Sequence, residues 1–463
     1  VETLMFAGTA GGSFLLGLVR TKLQAVAWGP IGVGAIGLMQ AAMGTATLVG
    51  GAGLDGLIAR ELALSTEGER RARLVSAGTS GVLALALLAQ LLATVVFIGA
   101  GARVGVSSWM AGSVVGAGVA MGILAVNARA VLSGLGITRA VAHGQVTAAL
   151  MSTAVVVGLV LAEVTEEVWA LAVAIVPAAQ FLALLGPVRA HAETSWRNWR
   201  VSLLSLPPLL RRAGVLAVAG VIPVLGQLLV RVVARQGMGA EEFGSFQASL
   251  ALSAVAVSVL ASSVGPSGLP RLSAASGDER KLLRLAVGVT VDYLVLFAPM
   301  ALVLAALPEL AVEALLSKQF DGAVTQLPWQ LVGEVFRLPC WVFATALIAQ
   351  GRYRTYLAFE VLALASNVTA TYLVATSGSP MLYGLGFSAS LVGQFLLVLL
   401  LIRVQFDGEA WRLLGRLAML AAVVALCAGL ARVNLMVRAL GVLAALASAL
   451  VAAQRVGSVI RRR

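Results

Sequence analysis

Cysteine and histidine are nearly missing from this chain, and each absence removes a class of function. Two cysteines in 463 residues, Cys340 and Cys427, both fall inside apolar stretches, so no disulfide framework or thiolate cluster is expected. His143 and His191 are far apart and have no cysteine or carboxylate at ligand spacing, so no metal site is expected. No glycine is followed by lysine, which excludes a GxxxxGK[ST] phosphate loop and ATP hydrolysis on this chain. The longest polar gap is about 24 residues, from Arg189 to Arg212, which leaves no room for a soluble catalytic domain. Neither the paired carboxylates of a membrane glycosyltransferase nor the arginine-rich outer motif of a sugar polymerase is found, so the chain is not read as an enzyme. Val1-Glu2-Thr3 supplies no basic n-region, and no cleaved signal peptide is expected.

Apolar residues fill the space that charge leaves. They make up 60% of the chain against 12% charged, with a mean hydropathy of +0.96, so almost any twenty-residue window suits a bilayer core. The expected class is an all-α polytopic membrane protein with about fourteen spans. They lie near 4–27, 34–59, 74–99, 106–128, 142–162, 168–188, 213–235, 243–266, 285–307, 326–349, 356–376, 381–402, 413–431 and 436–454.

The net charge of +12 reports topology rather than a nucleic-acid partner. Of the 33 lysines and arginines, 24 fall in alternate gaps, from Arg60–Arg73 through Arg129–Arg139 and Arg189–Arg212 to the Arg455–Arg463 tail. That bias turns those gaps toward the cytoplasm, and an even number of spans puts both termini there. The acidic 163–167 gap then lies outside.

Arg20 to Leu64 organises the chain. It holds two apolar segments joined by a Gly/Pro turn at Trp28 to Gly34, and a second version begins at Arg231. At an offset of 211, Arg20, Arg60 and Arg73 fall on Arg231, Arg271 and Arg284. At 215, Leu132 and Arg139 fall on Leu347 and Arg354, and at 214 Arg189 falls on Arg403. The expected organisation is two pseudo-symmetric six-helix lobes, 1–200 and 201–410, followed by a helix pair and basic tail at 411–463. Six is even, so the halves share an orientation and a substrate path runs between them.

The Gly29-Pro30-Ile31-Gly32-Val33-Gly34 turn, the Pro270-Arg271-Leu272-Ser273 segment and the run Trp329-Gln330-Leu331-Val332-Gly333-Glu334 carry a resemblance, continued by Arg337, Trp341, Gln350-Gly351 and Glu360. Together they resemble the Wzx-type O-antigen and polysaccharide flippases of the multidrug/oligosaccharidyl-lipid/polysaccharide superfamily. Glu334 and Arg337 stand where that family often has Asp and Lys. Over residues 4–403 the resemblance implies two lobes around a cavity that opens alternately to each side of the bacterial inner membrane. It also implies movement of an undecaprenyl-diphosphate-linked oligosaccharide from the cytoplasmic to the outer leaflet, beside a polysaccharide polymerase and a chain-length regulator. Spans 13 and 14 exceed the usual twelve and are similar to the extra pair of the lipid II flippases. A multidrug and toxin extrusion type cation antiporter shares this architecture, and a membrane-embedded enzyme or an assembly scaffold of a polysaccharide synthesis complex is a third reading.

A diphosphate cargo needs a wet, basic cavity. Arginine suits it because the guanidinium stays charged when partly buried and grips phosphate through two N–H groups. A charge inside a span costs at least ~2.5 kcal/mol on insertion scales, so each one asks for a reason. Arg20 lies about eight residues from the outer end of span 1, roughly 12 Å deep, and is the first substrate-binding candidate. Lys22, Arg231 and Arg337 complete that set; Lys22 is near enough to the interface to snorkel, and Arg337 has Glu334 one turn before it. Asp292 and Glu334 are the candidates for Na⁺ or H⁺ coupling, while Asp55 and Glu360 lie nearer the cytoplasmic surface. Pro223, ten residues into span 7, is the candidate hinge. No other cofactor is expected. Scattered amides such as Gln40, Asn127, Gln227 and Gln247 are the groups available for sugar.

Overall fold

The structure is a computed structural model. It describes residues 2–51, 53–65, 68–104, 109–164, 168–191, 199–254, 257, 272, 275, 277–375, 377, 379–402, 415–425, 441–444 and 447–448. The Pro270–Arg271 and Ser273 positions, Cys427 and most of the last two expected spans lie outside the described residues.

Among the described residues the chain is helical throughout, without strands. That is what a bilayer demands, because each helix satisfies its own backbone where no water can. The elements are α1 (Glu2–Gly51), α2 (Leu54–Leu64), α3 (Gly68–Ser76), a π-helical turn (Ala77–Gly81), α4 (Val82–Val104), α5 (Trp109–Gly134), α6 (Thr138–Leu161) and α7 (Trp169–His191). There follow α8 (Trp199–Gly237), α9 (240–254), α10 (Glu279–Ala306), α11 (Pro308–Leu315), α12 (Asp321–Ala349), α13 (Tyr353–Ala375) and α14 (Pro380–Ile402). Nine helical stretches among the described residues are long and apolar enough to cross a membrane. One of them, Leu15–Gly51, takes in parts of two expected spans.

The first two expected spans need correction. The turn expected over Trp28 to Gly34 is a break at a single residue, Gly29, at φ 59° and ψ −167°, and Pro30 starts the next helical run. Proline is at ease there, where its missing N–H has no partner to lose. The second span stops at Gly51 instead of reaching 59, because Gly53 is left-handed at φ 67°. A Cβ there would lie 2.8 Å from the backbone nitrogen of Ala217. Asp55 therefore sits in the first turn of α2, where a helix N-terminus favours a carboxylate, and not late in a span. Arg129, expected in a gap, lies inside α5 and is electrostatically coupled to Asp55. α11 was not expected, and α8 begins at Trp199, well before residue 213.

The chain divides into two compact units, Val1–Trp28 with Ala35–Val232, and Gly29–Gly34 with Val233–Arg463. α8, which begins at the boundary expected near residue 200, falls in the first unit as far as Val232. In the first unit α5 packs against α4 and α7, and α6 packs against α7. In the second, α12 packs against α10 and α14, and α13 packs against α14. These are the same three pairings, one repeat later. Two close approaches repeat too. A Cβ on Gly118 would lie 3.1 Å from Ala174 Cα, and one on Gly333 would lie 3.0 Å from Ser388 Cα. The offsets are 215 and 214, the values given by Leu132/Leu347 and Arg189/Arg403. Small residues let these backbones meet, as membrane helices without a hydrophobic drive between them require.

Polarity runs opposite to that of a water-soluble bundle. Leu87, Leu88, Leu91, Leu92, Val95 and Val96 leave one side of α4 more than half exposed and ready for lipid. The polar side chains are inside instead. Gln326, Gln330 and Glu334 have no exposed surface at all.

Candidate functional site

Arg20 lies on α1 in the first unit, and its Nη1 donates to Ser152 Oγ on α6 at 3.1 Å. A second bond fixes the same two helices, from Thr153 Oγ1 to Leu16 O at 3.3 Å. Ser152 is fully buried and also donates to its own backbone at Ala149 O. Arg20 is thus held by a neutral hydroxyl, and among the described residues no carboxylate pairs with it. Its positive charge remains available to an anion. A guanidinium paired with a buried carboxylate would have spent that charge.

Lys22 is half-buried two residues further along α1 and makes contacts of its own. Arg231, the repeat mate of Arg20, is placed differently: its Nη1 returns to its own helix at Gln227 O, 3.0 Å away. Pro223 lies within α8, which runs on past it as one helix. Asp292 is half-buried on α10, between buried Val291 and Tyr293.

The second unit brings two candidates together. Arg337 Nη1 lies 3.0 Å from Glu334 Oε1, and its guanidinium sits 5.3 Å over the ring of Phe387 on α14. A carboxylate edge and an aromatic face fix the guanidinium plane and leave its remaining N–H groups for another acceptor. Glu334 Oε2 is buried and has no hydrogen-bond partner.

Sequence reasoning missed what surrounds Glu334. Gln326, Gln330 and Glu334 are four residues apart and so form one stripe along α12. Gln326 Oε1 accepts from Ser249 Oγ of α9 at 3.2 Å, while its Nε2 and both polar atoms of Gln330 are buried without a partner. The spacing was visible in Gln326-x₃-Gln330-x₃-Glu334 once the run was known to be one helix. Of the scattered amides, Asn127 and Gln247 are buried, whereas Gln40 and Gln227 are exposed. Among the described residues no group of three or more His, Cys, Asp or Glu side chains is placed to hold a metal.

Two packed helical units, with Arg20 inside one and a buried polar stripe in the other, share their fold with solved membrane transporters. The chain resembles the lipid II flippase MurJ in an inward closed conformation, with a TM-score of 0.64 and 13% identity over 98% of this chain and 99% of that one. It resembles an inward-facing multidrug resistance MATE family transporter of the MOP superfamily at a TM-score of 0.62 and 14% identity, over 89% and 96% of the two chains. A MOP superfamily transporter from Pyrococcus furiosus follows at 0.57 and 13%, over 90% and 95%. No curated protein sequence matches the chain. The fold is that of the MOP superfamily. Within it the chain belongs to the polysaccharide biosynthesis protein family, whose sequence profile matches residues 33–325.

Proposed function

We propose that this protein is a flippase that carries a polyprenyl-diphosphate-linked oligosaccharide from the cytoplasmic to the outer leaflet of a bacterial inner membrane. The observation that carries the reading is Arg20, a charged group well inside a span with a serine for its partner and its charge unspent. Membership of the polysaccharide biosynthesis family supports the cargo class. In this reading Arg20 meets the diphosphate, with Lys22, Arg231 and Arg337 as further contacts. Two six-helix repeats, 1–200 and 201–410, alternate access, Pro223 in α8 takes up the bend, and 411–463 adds a helix pair. Asp292 and Glu334 couple the cycle to H⁺ or Na⁺. Both termini are cytoplasmic, and the cargo passes on to a polymerase and a chain-length regulator.

The test is lipid mass spectrometry on cells depleted of the protein, with the leaflet of each accumulated lipid read by a membrane-impermeant sugar-binding probe. Build-up of a polyprenyl-diphosphate oligosaccharide on the cytoplasmic leaflet is the expected result, and its mass identifies the cargo. No such lipid, together with sensitivity to cationic dyes, would replace the flippase with a cation exporter.

A further inference from the structure

One face of α1 offers hydrogen-bond donors for which the protein supplies no acceptor. Arg20, Gln24 and Trp28 are four residues apart and lie one above another along that helix. Both ends of the face are fixed within the first unit. Arg20 Nη1 donates to Ser152 Oγ of α6, and the Trp28 ring lies 6.1 Å from that of Trp169 on α7. α6 and α7 pack against each other, so Gln24, midway between the two contacts, is turned toward them. Gln24 is 6% exposed and its Nε2 has no hydrogen-bond partner; Trp169 is 7% exposed and its Nε1 has none. Buried indole and amide N–H groups normally find a partner, and leaving them bare costs stability.

Both unmet groups are donors, as are the remaining N–H groups of Arg20. α6 and α7 contain no aspartate or glutamate, and the one acidic residue of α1 is Glu2, five turns before Arg20. The complement of such a face is an anion rich in acceptors. Arg20 and Trp28 are partly exposed, so the face is accessible on either side of Gln24. The repeat does not need it for packing. At an offset of 211, Arg20, Gln24 and Trp28 fall on Arg231, Arg235 and Gly239. There Arg231 turns back to Gln227 O, Arg235 is exposed and the third place has no ring.

We infer that Gln24 and Trp169 extend the Arg20 site along α1, so that Arg20 and Gln24 hold the two phosphates of the cargo and Trp169 Nε1 donates to the sugar beyond them. This rests on the reading of Arg20 as the diphosphate contact and adds the groups that tell a diphosphate from a monophosphate. Successive places on the face are about 6 Å apart along the helix. Two donors a turn apart match two phosphates joined through one oxygen, whereas a single phosphate engages Arg20 alone. Bonds from guanidinium and amide N–H groups to phosphate are strong because the acceptor is charged. The charge bias of the gaps puts the Trp28 end of α1 outside. The sugar therefore points outward, in the pose from which cargo leaves.

The test is equilibrium binding to the full chain in nanodiscs of zwitterionic lipid. The probes are a polyprenyl monophosphate, a polyprenyl diphosphate, the same diphosphate carrying one N-acetylhexosamine, and inorganic pyrophosphate. Gln24→Leu is expected to weaken binding of the diphosphate lipid about tenfold or more, the size of one hydrogen bond to a charged group, and that of the monophosphate less than about threefold. Trp169→Phe, which keeps a ring and removes the N–H, is expected to weaken only the sugar-bearing lipid. Thermal unfolding of each variant reports its folding. Equal losses for both phosphates in Gln24→Leu make Gln24 a packing residue and overturn the inference, as does unchanged binding of both. Equal loss with and without the sugar in Trp169→Phe, or no loss, overturns the place given to the sugar. Pyrophosphate binding that depends on Gln24, with the lipids unbound, assigns the site to a free anion and overturns the lipid. Unchanged binding of every probe by Arg20→Ala removes the reading of Arg20 itself, a result separate from any given by Gln24.

Discussion

Arg337 and Glu334 stand one turn apart on α12, joined at 3.0 Å, with the carboxylate fully buried and the guanidinium side chain 23% exposed. The pair is lopsided, and its two halves respond differently to loss. Arg337→Ala strands a charge in the core and is expected to cost about 3 kcal/mol or more, as breaking buried pairs does. Glu334→Gln leaves an arginine that still reaches the surface and costs less. The double variant is expected to be more stable than Arg337→Ala alone, which thermal unfolding in detergent will show. A purely additive result would mean that the pair carries no coupling energy.

Arg20 gives the sharpest test of cargo binding. Arg20→Ala is expected to abolish transfer of the lipid-linked oligosaccharide at normal expression, with Arg20→Lys restoring only part because an ammonium lacks the two-pronged donor set. Ser152→Ala removes the neutral anchor but leaves the charge, so a loss of about tenfold or less is expected. The check is the sided lipid assay in cells carrying each variant. Full transfer by Arg20→Ala would return this residue to a structural role.

The division between what could and could not be read in advance follows from the bilayer. α13 and α14 were placed within a few residues, at 356–376 and 381–402 against Tyr353–Ala375 and Pro380–Ile402, because charge and proline punctuate them. The duplication was legible as near-constant offsets of 211 to 215 between arginines, and the packed glycines Gly118 and Gly333 are 215 apart. The break at Gly53 was hidden, because a glycine between apolar runs looks the same whether it bends a chain or lets two helices touch. Only the approach to Ala217 and a positive φ distinguish them. Glu334 stood out as a charge, whereas Gln326 and Gln330 became meaningful only once one helix phase joined them to it.

The close approach of Gly333 to Ser388 predicts a steric signature. A methyl at Gly333 would meet Ser388 Cα at 3.0 Å, a backbone atom that cannot swing aside. α12 and α14 would have to part, and overpacking of this kind costs about 1–3 kcal/mol. Gly158 on α6 meets nothing within 4 Å, so Gly158→Ala is expected to be neutral or to stabilise by up to about 1 kcal/mol through helix propensity alone. Melting temperatures of the two single variants, compared in one detergent, separate crowding from propensity. Equal shifts would show that the α12–α14 contact has slack.

Gly29 is constrained twice, and the two constraints can be pulled apart. Its backbone, at φ 59° and ψ −167°, lies in a region that side chains avoid, and a Cβ there would come 2.8 Å from Gln319 Oε1. The first constraint is intrinsic and costs on the order of 1–3 kcal/mol. The second is the far end of a flexible side chain and is cheap to relieve. Gly29→Ala is therefore expected to destabilise the protein and to slow transfer, and Gln319→Ala added to it is expected to recover little. Unfolding and the sided lipid assay, run on the two single variants and the pair, decide the matter. Full recovery in the double variant would mean that the clash, and not the backbone, holds the break in α1.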